Sequence, residues 1–419
     1  MAKIQTSEST PQKNRTIILP FDQVKYMSSI HDPMQFRNEL EAFINMYPEL
    51  FPNKIKAGYR LKEIRVSKKT GIPTRRILAD GVSYTIRPSF VMPYHVAFSA
   101  DADNAMFLRK FDVPFWGLRH VFGKDAMYWY RMEQSLGRNS IIGTTIKDPD
   151  LLPEHIAADE KHSRLEGNKV YIATTVGKNC ILGASVSEDA GEKGLKEGYG
   201  IFKDEALDLN PDYQPKSVNT DGWKATMKAW KSLFPCIAVI ACFLHVFIKI
   251  RDRSSKKYKD FFSAVGDKIW HCYEAESKAA FSQRVRRLCE YANVENLPDV
   301  ISKPLMKLKK NLSAYSKAYD FKGCHRTSNM VDRLMQRMDR HLFSTFYFHG
   351  GLQTAELSIR GWALIQNFAP CNPVTVKKHD GLRCPAEWLN KSRYHENWLE
   401  NLLVSASMGG FRYPPPNPL

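Results

Sequence analysis

The sequence predicts an α/β fold: a mixed sheet interrupted by a helical insertion and preceded by an α-rich N-terminal region. Three observations predict it. Between residues 154 and 242 the segments run three strands, helix, strand, helix, strand. The first three strands follow one another closely, as antiparallel neighbours do, and the later ones alternate with helices. Residues 251–325 then read as almost entirely helical and very basic. Residues 101–138 read as three short helices punctuated by Pro114, Gly123 and Gly137.

Composition narrows the possibilities. At 419 residues the chain can hold two or three domains with buried cores, and its 43% apolar content marks it as globular. The net charge of +17 favours a polyanionic partner, nucleic acid before a membrane surface, with a merely basic soluble protein as the bland alternative. The eight cysteines are scattered without a CxxC pair and no signal peptide is recognised, so reduced thiols in a cytoplasmic compartment are expected. The longest apolar run, Cys236 to Ile250, is shorter than the roughly 20 residues of a spanning helix. It also contains His245 and Lys249, so a buried strand running into a helix is expected and no membrane contact.

Residues 1–30 are expected to be flexible, and 31–140 to form a DNA-binding region with a helix-turn-helix-like segment. Asp32 to Tyr47 has helical spacing, with Phe36, Leu40, Phe43 and Ile44 on one face. Tyr59 to Pro93 alternates as short strands and turns do; its Lys68-Lys69 and Arg75-Arg76 pairs suit either phosphate contact or a solvated face. Asp103–Phe111, Pro114–Phe122 and Ala126–Leu136 are the predicted helices, and the last two, joined at Gly123-Lys124-Asp125, match a helix-turn-helix. The third helix carries Tyr128, Tyr130, Arg131 and Gln134, which suit DNA; Arg131 and Gln134 are the candidate contacts. Any helical hairpin shares the pattern.

From 154 the predicted strands are Ile156–Arg164, Lys169–Thr175, Cys180–Ser187, Pro215–Thr220 and Cys236–Cys242. Helices are predicted at Glu192–Leu209, despite Gly194, Gly198 and Gly200, and at Trp223–Phe234. This is the element order of a ribonuclease H-like fold, assigned to residues 150–250 and 325–370. The basic helical insertion covers 251–324, and over 251–340 there are 20 Lys and Arg against 11 Asp and Glu. A helix over 327–342 turns Val331, Leu334, Met335, Met338 and Leu342 to one face and Asp332, Arg333, Gln336, Arg337 and Arg340 to the other. After an aromatic helix around 357–368, residues 371–419 are expected to be a tail with a Pro-rich, extended end.

Three acids stand out. Asp159 lies within the first strand, Asp221 ends the fourth, and Asp332 lies on the late helix. In the predicted sheet the first and fourth strands are neighbours, which sets Asp159 beside Asp221. Close carboxylates repel, and burial raises their pKa values; a divalent cation relieves both costs. Two such ions can activate a water or a 3′ hydroxyl and stabilise the leaving oxygen of a phosphodiester. Competing readings stand beside this one. Asp159 could pair with Lys161, Asp221-Gly222 could be an ordinary turn, and Asn329 with Asp332 three residues later could be a helix cap. Glu160 should point to the opposite face from Asp159 and is not counted as a ligand. Cys242 and His245 are too few for a zinc site; His245 is instead read as reaching the scissile phosphate or supporting the acids.

Taken together, Asp159, the run Asn219-Thr220-Asp221-Gly222-Trp223, the run Cys242-Phe243-Leu244-His245 and the run Ser328-Asn329-Met330-Val331-Asp332 resemble a DDE-type transposase of the Mutator-like insertion-sequence group. The likeness spans about 155–370. It departs from the group at the third acid, usually Glu and here Asp332. The resemblance implies a ribonuclease H-like catalytic domain and Mg²⁺ or Mn²⁺ at a two-metal site held by Asp159, Asp221 and Asp332. It implies cleavage and transfer of DNA strands at insertion-sequence ends, with double-stranded terminal repeats and target DNA as partners. Homo-oligomers on DNA and a prokaryotic, nucleoid-associated location are further expectations. Arg326, Arg333, Arg337 and Arg340 are the candidate phosphate contacts around the third acid.

Overall fold

The computed structural model describes residues 15–68, 70–254 and 257–411. The expected loose residues 1–14, Lys69 and the Pro-rich end from 413 lie outside the described residues. Residues 15–30, expected to be flexible, are built into the fold. The apolar run Thr16–Leu19 (β1) pairs in parallel with Val82–Pro88 (β4), and Ile17 and Leu19 are fully buried. With Arg60–Val66 (β2) and Pro73–Ala79 (β3) they make a four-stranded mixed sheet in the order β1-β4-β3-β2. The N-terminal region is therefore α/β, not α-rich. Of the Arg75-Arg76 pair, Arg75 is buried against Phe36 and Arg76 pairs with Glu63.

The second sheet is built from His155–Leu165 (β5), Asn168–Gly177 (β6), Cys180–Ser187 (β7), Ser217–Thr220 (β8) and Ala238–Ala241 (β9). Its order is β7-β6-β5-β8-β9, antiparallel through β5 and parallel beyond it. The two hairpins close on two-residue turns, Glu166-Gly167 and Lys178-Asn179, all with positive φ, the turn form whose twist matches the strands.

Each face of this sheet has its own helices. Ile156, Ala158, Ala173 and Leu182 pack with the helices Glu192–Leu209 and Lys224–Leu233. The glycines that weaken the first helix in sequence have a packing reason: a Cβ at Gly198 would stand 3.0 Å from that of Ala173. Ala157, Ile172 and Ile181 face the other way, toward the helices Asn329–Ser344 and Leu352–Phe368.

That second core continues without a break into the N-terminal sheet and helices. Residues 31–140 are not a separate unit. The predicted recognition helix, Ala126–Leu136, buries Trp129, Met132 and Leu136 and packs tightly on Leu352–Phe368. Nor is 371–411 a loose tail. It forms the helices Pro373–Lys378, Pro385–Asn390 and Trp398–Ser405, with Leu399, Leu402 and Val404 fully buried. The Ile18 N–H donates to Ser407 Oγ at 3.2 Å, so the last part of the described chain holds the first. The basic insertion has its own apolar core and starts earlier than expected, with the helix Phe243–Arg253.

Candidate metal centre

Strands β5 and β8 run parallel, and their last paired residues are Ala157 and Asn219. Asp159 and Asp221 stand two residues further along each strand direction, so alternation sends both to the face covered by the Asn329–Ser344 helix. The edge strand completes the frame: the Cys242 N–H donates to Thr220 O at 2.7 Å, and Cys242 caps the helix that carries His245 in its first turn. Asn219 Nδ2 donates to His325 O at 2.9 Å, and the Phe243 N–H donates to Arg326 O at 3.1 Å. These bonds tie the segment before Asp332 to the ends of β8 and β9.

Ser328 sets the third acid. Its N–H donates to Cys242 Sγ at 3.1 Å, and its hydroxyl donates to Asp332 Oδ2 at 2.9 Å. The hydroxyl also lies 3.4 Å from His245 Nδ1. Ser328, not Asn329, occupies the cap position of the helix.

Asp159 belongs to two groups of converging ligand atoms. With His245 and Asp332 it forms one in which the chosen atoms all lie within 4.8 Å of one another. With Glu160 and Asp221 it forms a second of the same span. Glu160 does turn to the opposite face of the sheet, where its Oε1 accepts from Tyr199 at 2.7 Å and Thr226 at 2.5 Å. Yet one ligand atom of its carboxylate stays within 4.8 Å of ligand atoms of Asp159 and Asp221.

The competing readings resolve unevenly. Lys161 pairs with Asp339. Asp159 Oδ1 accepts from the Glu160 N–H at 2.9 Å. Asp221 does make a turn, accepting from the Trp223 N–H at 2.7 Å, with Gly222 at φ 90°; the turn itself holds the carboxylate at the strand end.

Burial, with Asp221 adding repulsion, pushes Asp159 up to about 6. Burial pushes Glu160 up to about 7, against the hydrogen bonds from Thr226 and Tyr199. The hydrogen bond with Cys242 lifts His245 to about 9, and the Asp332 and Asp159 carboxylates add to it. The site thus gathers desolvated negative charge around hard oxygen donors. Such a set fits Mg²⁺ or Mn²⁺, and a bound cation would supply the missing countercharge.

The predicted DNA contacts separate into three kinds. Arg333, Arg337 and Arg340 are exposed along the Asn329–Ser344 helix, with Arg340 3.6 Å from Asp112. Arg131 is exposed, but Gln134 donates its amide to Thr354 O at 3.2 Å. Arg326 is held by the insertion, donating to Ala275 O and Tyr319 Oη and lying 4.5 Å from the Tyr273 ring centre.

Sequence reasoning missed Ser328, Tyr199 and Thr226. Ser328 had a signal, four residues before Asp332 on one helix face; the other two come from separate helices and had none. No protein-family model matches the chain, and no match is found among curated proteins. Among the described residues no helix is long and apolar enough to cross a membrane.

Proposed function

We propose that the chain is a DNA strand-cleaving and strand-transferring enzyme with a ribonuclease H-like core, acting as a transposase at insertion-sequence ends. The observation that carries this reading is the convergence of Asp221 and Asp332 on Asp159 from three separated parts of the sequence. The sheet order, with the first strand central and parallel to the fourth, supports the finer fold assignment. The net charge of +17 and the basic insertion beside the acids support a polyanionic substrate.

Asp159, Asp221 and Asp332 would hold Mg²⁺ or Mn²⁺, with Glu160 in reach of the Asp221 side. When bound, such ions supply activation of a water or 3′ hydroxyl and charge stabilisation at the phosphodiester. The chain's own residues do the rest. Ser328 orients the Asp332 carboxylate, so the shorter third acid still approaches Asp159. Protonated His245, beside Asp159 and Asp332, offers a cation to a phosphate oxygen. Duplex terminal repeats and target DNA are the partners in this reading, with assembly into homo-oligomers on DNA.

The test is a labelled duplex carrying the DNA that flanks the gene, incubated with Mg²⁺ or Mn²⁺ and a target plasmid. Cleavage and joined product, both abolished by Asp159→Asn, are expected. Cleavage without joining would make the protein a nuclease of the same fold class. Unchanged cleavage in Asp159→Asn would overturn the metal-centre reading.

A further inference from the structure

A groove of about 970 Å³ lies outside the chemistry above. One wall is the flank of the third-acid helix, where Arg333, Arg337 and Arg340 follow at i, i+4 and i+7 and so share one side. Along the helix these three guanidinium groups span about 10 Å. Arg333 and Arg337 form no hydrogen bond or ion pair with any described residue.

The lining also carries aromatic rings. Phe107 and Phe111 meet edge to face at 5.3 Å, and Phe111 is 60% exposed. Trp388 also lines the groove, with its indole stacked on His379 at 3.9 Å. The single acid on the lining is Asp112, which burial pushes up to about 6. Lys110 adds charge to the floor, its ammonium donating to Pro370 O at 2.9 Å.

Unpaired cations beside aromatic rings, one of them exposed, are the two elements of a single-strand site. The cations follow the phosphates, and the rings stack on bases whose faces are free. A duplex offers its phosphates but keeps its bases stacked inside, so the aromatic wall would gain nothing from it. The volume also falls in the range of ligand clefts, roughly 300–1,000 Å³. We infer that this groove binds a short run of unpaired nucleotides, holding one DNA strand away from its complement. The inference rests on the nucleic-acid reading above but not on the metal.

The experiment is fluorescence anisotropy with the full chain in EDTA, using a labelled single-stranded oligonucleotide and a duplex of the same sequence over a salt series. Phe111→Ala should weaken single-strand binding at least about fivefold while leaving its salt slope unchanged. The Arg333→Ala/Arg337→Ala pair should flatten the single-strand salt slope by about 0.7 for each phosphate no longer neutralised. Duplex affinity should change little in Phe111→Ala, and thermal melts of both variants should match the parent because these side chains are exposed. Equal losses for single strand and duplex in Phe111→Ala, or no loss in either, would overturn the inference. So would displacement of the oligonucleotide by a polyglutamate peptide as effectively as by unlabelled oligonucleotide. Failure of the metal reading appears separately, as absent Mn²⁺ binding at Asp159, and leaves these EDTA measurements intact.

Discussion

The Ser328 hydroxyl donates to the Asp332 carboxylate at 2.9 Å while the Ser328 N–H is fixed on Cys242 Sγ at 3.1 Å. The edge-strand cysteine thus aims the third acid through one intermediary. Ser328→Ala keeps the backbone bond to Cys242 and removes only the hydroxyl. Outer partners of metal ligands are typically worth 10–100-fold in affinity. Mn²⁺ binding followed by electron paramagnetic resonance should therefore weaken by about tenfold or more, with little change in thermal midpoint. Unaltered Mn²⁺ affinity would remove Ser328 from the positioning role.

Asp159 makes a prediction about pH. Its folded value of about 6 lies above the roughly 3.9 of an unfolded Asp. A carboxyl raised on folding contributes its full stability below the unfolded value and loses it as pH climbs through the folded one. Glu160, at about 7, has the same sign. Without metal, stability should therefore fall between about pH 4 and about pH 7. Asp159→Asn should be more stable than the parent at pH 8 by roughly 1–3 kcal/mol, and the two should converge at low pH. Added Mn²⁺ should raise the melting temperature of the parent at pH 8 and that of the variant much less. Thermal melts in EDTA and in Mn²⁺ at both pH values decide it; parallel pH profiles would refute the account.

The parts of this molecule that were legible in sequence are those set by local pattern. Two-residue alternation along β5 separates Asp159 from Glu160, and the hairpin turns and the helix spacing around Asp332 are equally local. That Asp159 lies beside Asp221 also follows, because strand order makes their strands neighbours. What escaped depends on distant partners. The run Thr16–Leu19 is too short to announce itself and is a strand because β4 offers it an edge. The helices after 370 look like a tail until their apolar faces meet the N-terminal core. Glu160 is held by Tyr199 and Thr226, which no spacing connects to it.

Gly361 tests whether residues 31–140 can stand alone. A Cβ there would lie 2.2 Å from Glu133 O, and one at Gly137 would lie 2.0 Å from Leu357 O. The helices Ala126–Leu136 and Leu352–Phe368 thus touch backbone to backbone, with no room for a methyl group. Gly361→Ala should cost at least about 1–3 kcal/mol, the usual penalty for overpacking, read as a lowered urea midpoint. A fragment ending at residue 140 should show no cooperative unfolding, since it lacks the helix that closes its core. A cooperative transition in that fragment would restore the independent domain.

Arg109 and Glu133 form an ion pair with both side chains at 0% exposure and 2.6 Å between Nε and Oε2. The guanidinium also lies over the Phe115 ring at 4.0 Å and 3.2 Å from His341 Nδ1. Burial and the Arg109 charge hold His341 well below its usual range, so it stays neutral and supplies no countercharge of its own. This network joins the N-terminal helices to the third-acid helix far from its acid. Glu133→Gln keeps the shape and removes the charge, leaving Arg109 buried with only the nearby Asp112 to offset it. Breaking one side of a buried pair costs about 3–5 kcal/mol, whereas replacing both partners by apolar residues is often close to neutral. The double change Arg109→Met/Glu133→Leu should accordingly unfold at a urea concentration nearer the parent than the single change does. A double variant less stable than Glu133→Gln would show that the pair contributes more than mutual neutralisation.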